Sequence, residues 1–434
     1  MKSIKKLFFL VIIVGIISAG VFYFRDTKPP QISLTPSSGP ISKKSKLLLA
    51  LNDEGVGLKN LQVMVVQGAN QLPLLKRDFP TQTRVVDLEL DLASLKLEEG
   101  GIQIEVLATD QSIYHFGKGN TVQQLFNLTY DTRPPVISIL SKAHNLTKGG
   151  SGLVTFSLNE DVDKVGVQFG EHFFPAYLQD SGIYACLFAY PYFVKSEDFV
   201  PRVVAQDLAG NERQAGIYYR ANNKKFRQRK INISKSFLDQ KIPEFEALVP
   251  DMTDPLEIFL YVNRDVRTKN RAQIVELGRK TSATPLWEGT FLRQPQTATL
   301  AQFADYRTYY HEGKEIDKTV HLGQDLASVA QAEIIAENSG EVVWSEYLGI
   351  YGQCVVIDHG LGLQSLYAHM SQVSVQPGEM VTRGQVIGRS GATGMAGGDH
   401  LHLGIIVSGV PVQPIEWWDK SWLENNIDSK LKIN

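Results

Sequence analysis

The sequence predicts a mainly β, multidomain protein, and three observations carry that prediction. Asp26-Thr27-Lys28-Pro29-Pro30-Gln31-Ile32-Ser33 recurs 105 residues later as Asp131-Thr132-Arg133-Pro134-Pro135-Val136-Ile137-Ser138, each copy leading into an alternating run. The last third of the chain is a series of short apolar runs separated by glycines. Only an apolar N-terminal stretch and one charged stretch of helical period interrupt this β pattern.

Residues 1–25 read as a cytoplasmic tip and a transmembrane anchor. Lys2, Lys5 and Lys6 precede an uninterrupted apolar stretch from Leu7 to Phe24, which just meets the length of one membrane span. A cleaved signal peptide is the competing reading, but Ser18-Ala19-Gly20 is followed by Val21-Phe22-Tyr23-Phe24, which suits an aromatic interfacial edge better than a cleavage site. Lysines on the near side place the N-terminus in the cytoplasm and everything after Arg25 outside.

Residues 26–130 and 131–222 read as two β-sandwiches of immunoglobulin-like type. Both copies of the repeat close alike, in Val106-Leu107-Ala108-Thr109-Asp110 and in Val203-Val204-Ala205-Gln206-Asp207-Leu208-Ala209-Gly210-Asn211. Short alternating runs at regular spacing with Gly, Asn and Asp turns imply sandwiches. Such modules space or dock an enzyme, or bind a protein partner.

Residues 223–284 read as a helical arm or linker. Thr253-Asp254-Pro255 supplies a capping Asp with Pro at the first turn, and Phe259, Val262, Val266, Ile274 and Leu277 form an apolar stripe ended by Gly278. With the segment from Phe237 to Leu248 it forms a helical hairpin. The plainer reading is a packing arm beside the C-terminal domain; the alternative is an inhibitory or partner-binding arm, since partner helices carry the same stripe.

Residues 285–425 read as an antiparallel β-sheet domain, with strands at Glu341–Trp344, Cys354–Asp358, Gln364–Ala368, Gln385–Gly388 and Leu401–Val407. Six of the nine histidines fall between His311 and His402. His321-Leu322-Gly323-Gln324-Asp325 returns a histidine and an aspartate to one side, with Gly323 letting the backbone bend toward them. His400-Leu401-His402 puts both rings on the same side of a strand, behind a glycine-rich loop from Gly391 to Gly398, and spacing alone does not say which ring binds metal. Two imidazoles and a carboxylate suit a catalytic zinc, which takes three protein ligands and leaves a fourth position open. Further histidines, with His369 in Tyr367-Ala368-His369 among the candidates, can move protons or steady an oxyanion.

These motifs resemble the lysostaphin-like (LytM-type) zinc metallopeptidases that cut peptide cross-links in bacterial cell walls. The similarity runs from about Ala304 to Trp418 and includes Val355-Val356-Ile357-Asp358-His359-Gly360, Leu366-Tyr367-Ala368-His369-Met370-Ser371 and Gly384-Gln385-Val386-Ile387-Gly388. The resemblance implies that His321, Asp325 and His402 hold Zn²⁺ and that His369 and His400 are the unliganded histidines that activate water and stabilise the oxyanion. It implies a zinc-dependent endopeptidase acting on peptidoglycan peptides, and the N-terminal stretch then makes it a single-pass protein of a bacterial inner membrane with the catalytic domain on the extracytoplasmic side. Two positions depart from the pattern: Asp399 replaces the usual small loop residue, and Leu403-Gly404 replaces an aromatic-acid pair. Asp399 either orients a histidine or caps the loop.

Other candidates have plainer readings. His359 reads as a strand-end turn residue, and His115, His144, His172 and His311 as exposed or loop residues. Arg307, Tyr309 and Tyr310 lie just upstream of His321, where they line the cleft or pack. Cys186 and Cys354 are expected to be buried free thiols rather than a disulfide framework. At 434 residues, 43% hydrophobic and 21% charged, the composition is that of a globular protein, and a net charge of −2 gives no reason to expect nucleic acid as a partner. The alternative function is a non-hydrolytic regulator that binds and activates a separate cell-wall amidase; a third reading makes the sandwich pair an adhesion or scaffold module.

Overall fold

A computed structural model describes residues 2–432, without the side chains of Lys2, Ser3 and Lys5, so the orientation read from Lys2 and Lys5 rests on side chains outside the described ones. The chain folds as two compact units: the chain up to Pro135 with Asp161–Asp163 and Gln206–Glu212, and Val136–Glu160, Lys164–Ala205 and Arg213 onward.

In the first unit the apolar stretch forms one helix, Lys2–Tyr23, whose segment Lys6–Tyr23 is long and apolar enough to cross a membrane. Its large side chains, from Leu7 to Phe22, are exposed. Beyond it, a three-stranded sheet (Gln31–Thr35, Leu47–Asn52, Val85–Leu90) and a five-stranded sheet (Gly39–Ile41, Thr121–Tyr130, Gly100–Asp110, Leu58–Gln67, Asn70–Asp78) close on a shared core. Strict alternation explains the arrangement: Leu47, Leu49 and Leu51 point inward while Leu48 is exposed, and Leu61, Val63 and Val65 meet them from the other sheet.

In the second unit, a sheet built on Ser151–Leu158 and Tyr184–Ala189 contributes Leu153, Phe156, Leu187 and Phe188 to a core that also holds Trp287, Phe291, Leu363, Ile405 and Trp417. The β region after Val136 and the C-terminal sheet therefore close one hydrophobic core. His144 is buried here, contrary to the exposed or loop position expected of it. Its two ring nitrogens meet Ser141 Oγ at 3.0 Å and the Tyr218 carbonyl at 2.9 Å, so a polar residue is satisfied inside the core.

The charged stretch forms a helix, Lys235–Lys241, capped by Ser234, and a longer helical run made of Pro255–Tyr261, a π turn at Val262–Val266 and Arg267–Leu277. Asp254 caps the run by accepting from the Leu256 and Glu257 amides. The apolar stripe is buried as expected, with Phe259, Val262, Val266, Ile274 and Leu277 packed against Ile350, Tyr351, Leu366 and Ile406 of the C-terminal domain. The arm is also tied in by Gln228–Asn232, which pairs in parallel with Tyr306–His311.

The C-terminal domain centres on an eight-stranded sheet whose path runs Ala298–Ala301, Gln324–Ala327, Leu401–Val407, Leu363–Met370, Gln353–Gly360, Gly340–Trp344 and Met380–Val381, with Val410–Val412 beside Leu401–Val407. Its pairings are antiparallel. Cys186 and Cys354 are buried free thiols.

Candidate metal centre

The site is assembled by the pairing of Gln324–Ala327 with Leu401–Val407, whose register sets Asp325 directly opposite His402. Leu401 points the other way, into the core with Leu326 and Leu403. Ala368 pairs with His402 from the other side, which brings His369 to the same end of the sheet. His369 has φ +65°, a left-handed conformation costly for a residue with a side chain and of the kind that clusters at functional sites.

Three donors converge. His321 Nε2 lies 2.8 Å from Asp325 Oδ1 and 2.9 Å from His402 Nδ1, and His402 Nδ1 lies 2.9 Å from Asp325 Oδ1. His321 Nδ1 donates to the Gln302 carbonyl at 2.9 Å, so Nε2 is the ring nitrogen that faces the other two donors. All three residues are buried, and two imidazole nitrogens facing one carboxylate oxygen at this range could hold a metal ion. Burial by itself would raise Asp325, yet the imidazoles of His321, His400 and His402 hold its carboxyl well below the ordinary value. Burial pushes His402 down to about 4, which keeps it neutral and able to act as a ligand.

Two further histidines stand at the edge of this trio. His369 Nδ1 donates to the Thr393 carbonyl at 2.9 Å and His400 Nδ1 to the Gly398 carbonyl at 2.8 Å, so on each ring Nε2 is the nitrogen left for the cleft. Their rings lie 4.9 Å apart, and His400 Nε2 is 3.6 Å from Asp325 Oδ1. Arg307 reaches in from Tyr306–His311 and places Nη2 3.1 Å from Asp325 Oδ2, the oxygen turned away from the imidazoles. A cavity of about 540 Å³ opens over all five residues and over Arg307 and Tyr309.

Other sequence candidates fall elsewhere. Tyr310 lies under Lys230, whose ammonium is 5.6 Å from the ring centroid. His359 is fully buried inside the strand Gln353–Gly360 rather than in the turn expected of it, with ring nitrogens at 2.7 Å from the Ser339 carbonyl and 2.7 Å from Ser365 Oγ. Asp399 accepts from Ser390 Oγ at 2.6 Å and from the Gln331 amide at 2.9 Å, so it caps the loop before His400. The sequence reading missed the arm's part in the cavity wall, where Ile231, Phe237 and Arg267 join Tyr351. Nothing in their local sequence marks these residues as cleft-lining.

Comparison with known proteins agrees with this geometry: residues 319–414 match the model of Peptidase family M23, so the C-terminal region carries a lysostaphin-like M23 domain. The chain is 38% identical over 96 residues to the peptidoglycan DD-endopeptidase ShyA of Vibrio cholerae, 22% of each chain, and to the same extent to the DD-carboxypeptidase/endopeptidase Mpg of Neisseria meningitidis. It is 34% identical over 122 residues to stage II sporulation protein Q of Bacillus subtilis, which is 28% of this chain and 41% of that one. The match thus spans about a fifth of the length of ShyA and Mpg. Among solved structures, the catalytic domain of lysostaphin from Staphylococcus simulans aligns at 24% identity and TM-score 0.25, covering 28% of this chain and 92% of that one.

Proposed function

We propose that this chain, through the M23 domain at its C-terminal end, is a zinc-dependent endopeptidase that hydrolyses peptide bonds of peptidoglycan. The observation that carries the reading is the trio of His321 Nε2, Asp325 Oδ1 and His402 Nδ1, mutually 2.8 to 2.9 Å apart beneath a cavity. Zinc held by His321, Asp325 and His402 would act as a Lewis acid toward a peptide carbonyl and lower the pKa of water there.

The remaining work falls to the chain's own side chains. His369 and His400, each with Nδ1 tied to a backbone carbonyl, hold their Nε2 atoms in fixed positions at the cleft. One takes a proton from the attacking water, and the other donates toward the oxygen that gains charge as the carbonyl is attacked. Arg307 fixes Asp325 through Oδ2 so that Oδ1 faces the imidazoles. The long apolar helix supports a single-pass anchor in the inner membrane with the catalytic domain outside, and the two β regions between support immunoglobulin-like spacer or docking modules. A non-hydrolytic amidase regulator ranks second, because the donor trio and both flanking histidines are all present.

The test is His402→Ala in the full-length chain. Zinc content should fall below stoichiometric and release of peptides from peptidoglycan should cease; turnover persisting in that variant rules out the assignment.

A further inference from the structure

The cleft has more positive charge than its own residues neutralise. Its wall carries Arg229, Lys230, Arg267 and Arg307 against a single carboxylate, Asp325. Two of these cations are spoken for: Arg229 lies 3.8 Å from the buried Asp305 and donates to the Leu300 carbonyl, and Lys230 sits over the Tyr310 ring. Arg307 shares Asp325 with three imidazoles, and its Nε is buried without a partner. Arg267 is held by neutral acceptors alone, Nε on the Asn263 carbonyl at 3.0 Å and Nη2 on Asn263 Oδ1 at 2.6 Å.

Among the described residues no carboxylate lies within 4.0 Å of the Arg267 or Arg271 guanidinium. Burial, and then the nearby Arg271 and Arg307 cations, press the Arg267 pKa down. A guanidinium does not give up its proton near neutral pH, so the strain of clustered cations is relieved by an incoming anion. A bound divalent metal would add to the excess.

We propose that Arg267 and Arg307 form a subsite for a carboxylate of the peptide substrate, within one residue of the bond that is cut. The proposal rests on the endopeptidase reading. The planar guanidinium fork matches a carboxylate, and the Arg307 contact with Asp325 sets the subsite next to the donor trio. Such a wall selects cross-links flanked by a free acid over neutral bridges, with the proposed selectivity residing mainly in KM.

The experiment uses the full-length chain in detergent, loaded with zinc, and a cross-linked dimer of two stem peptides in three forms. One has both flanking carboxylates free, one is amidated on the carbonyl side of the cross-link, and one is amidated on the amine side. One amidated form should be cleaved with kcat/KM roughly 10- to 100-fold below the free acid, the worth of a charge-assisted contact, and the side affected identifies the carboxylate read. Arg267→Gln should abolish that ratio through KM while zinc content stays stoichiometric, and Arg267→Lys should restore part of it. Equal cleavage of all three forms by the unmodified chain, or a ratio that survives Arg267→Gln, overturns the subsite. Should the zinc-loaded chain cleave none of them, the endopeptidase reading fails separately. Calorimetric titration with N-acetyl-D-alanine and its carboxamide then decides the subsite: acid-selective binding lost in Arg267→Gln supports it, and equal or absent binding overturns it.

Discussion

Replacing Gly323 with alanine should damage the metal centre while leaving all three donor residues in the sequence. A Cβ at Gly323 would lie 2.5 Å from His402 Nε2, 2.6 Å from His402 Cε1 and 2.5 Å from the Leu403 carbonyl oxygen. The imidazole could swing aside, but the carbonyl belongs to the strand that pairs with Gln324 and Asp325, so the ladder itself must open. Overpacking of this kind costs about 1–3 kcal/mol of stability. The same displacement draws His402 Nδ1 away from His321 Nε2, now 2.9 Å distant, and mispositioning one of three donors lowers metal affinity by about 10- to 100-fold. Gly404 provides the control on the same strand. Its Cβ would meet Leu366 Cβ at 3.4 Å and Leu366 Cδ2 at 3.6 Å, ordinary contacts, so Gly404→Ala should leave zinc affinity unchanged and stability equal or higher by up to about 1 kcal/mol. Competition with a chromophoric zinc chelator and thermal melting read both effects. Unchanged zinc affinity in Gly323→Ala, or equal losses in the two variants, would refute the reasoning.

His369→Ala and His400→Ala should each retain stoichiometric zinc, because neither ring belongs to the donor trio, while kcat falls about 10²- to 10⁴-fold; loss of zinc from either variant would reassign the ligands. Burial pushes the Glu416 carboxyl from 4.5 up to about 7, so the folded state keeps a proton that the unfolded chain has released. Stability contributed by that group is therefore full below pH 4.5 and is lost between about pH 4.5 and 7, by up to about 3 kcal/mol. Denaturant midpoints at pH 5 and pH 8 should decline less in Glu416→Gln than in the parent chain, and an equal decline would contradict the assignment. Asp254→Ala removes the acceptor that caps the Leu256 and Glu257 amides and should cost about 1 kcal/mol, read from the same midpoints.

The His321–Asp325 pair and the His400–His402 pair were legible because the spacing within each is local, whereas the trio itself was expected from the family resemblance. Alternation in Leu401–Val407 turns Leu401 inward and His402 toward Asp325, and the H-x-x-x-D segment needs only one neighbouring strand to complete it. The choice between His400 and His402 was not local: it follows from the register that pairs Asp325 with His402, whereas His400 lies outside that strand and bridges Gly391. The apolar stripe from Phe259 to Leu277 was readable from period alone, although the π turn at Val262–Val266 within it was not. Arg267 and Tyr351 reach the cavity from segments more than 80 residues apart, and His144 is buried because partners from Ser141 and Tyr218 satisfy both nitrogens. Contacts of that range leave no periodic trace in a sequence.

Incubating the zinc-loaded full-length chain with purified peptidoglycan, with and without a chelator, and identifying the soluble fragments by mass spectrometry tests the central proposal most directly. Hydrolysis by His321, Asp325 and His402 acting through zinc predicts new paired amine and carboxyl ends that vanish with the chelator and return when zinc is restored. Absence of new ends from a chain that carries stoichiometric zinc, or release that is indifferent to the chelator, would contradict it.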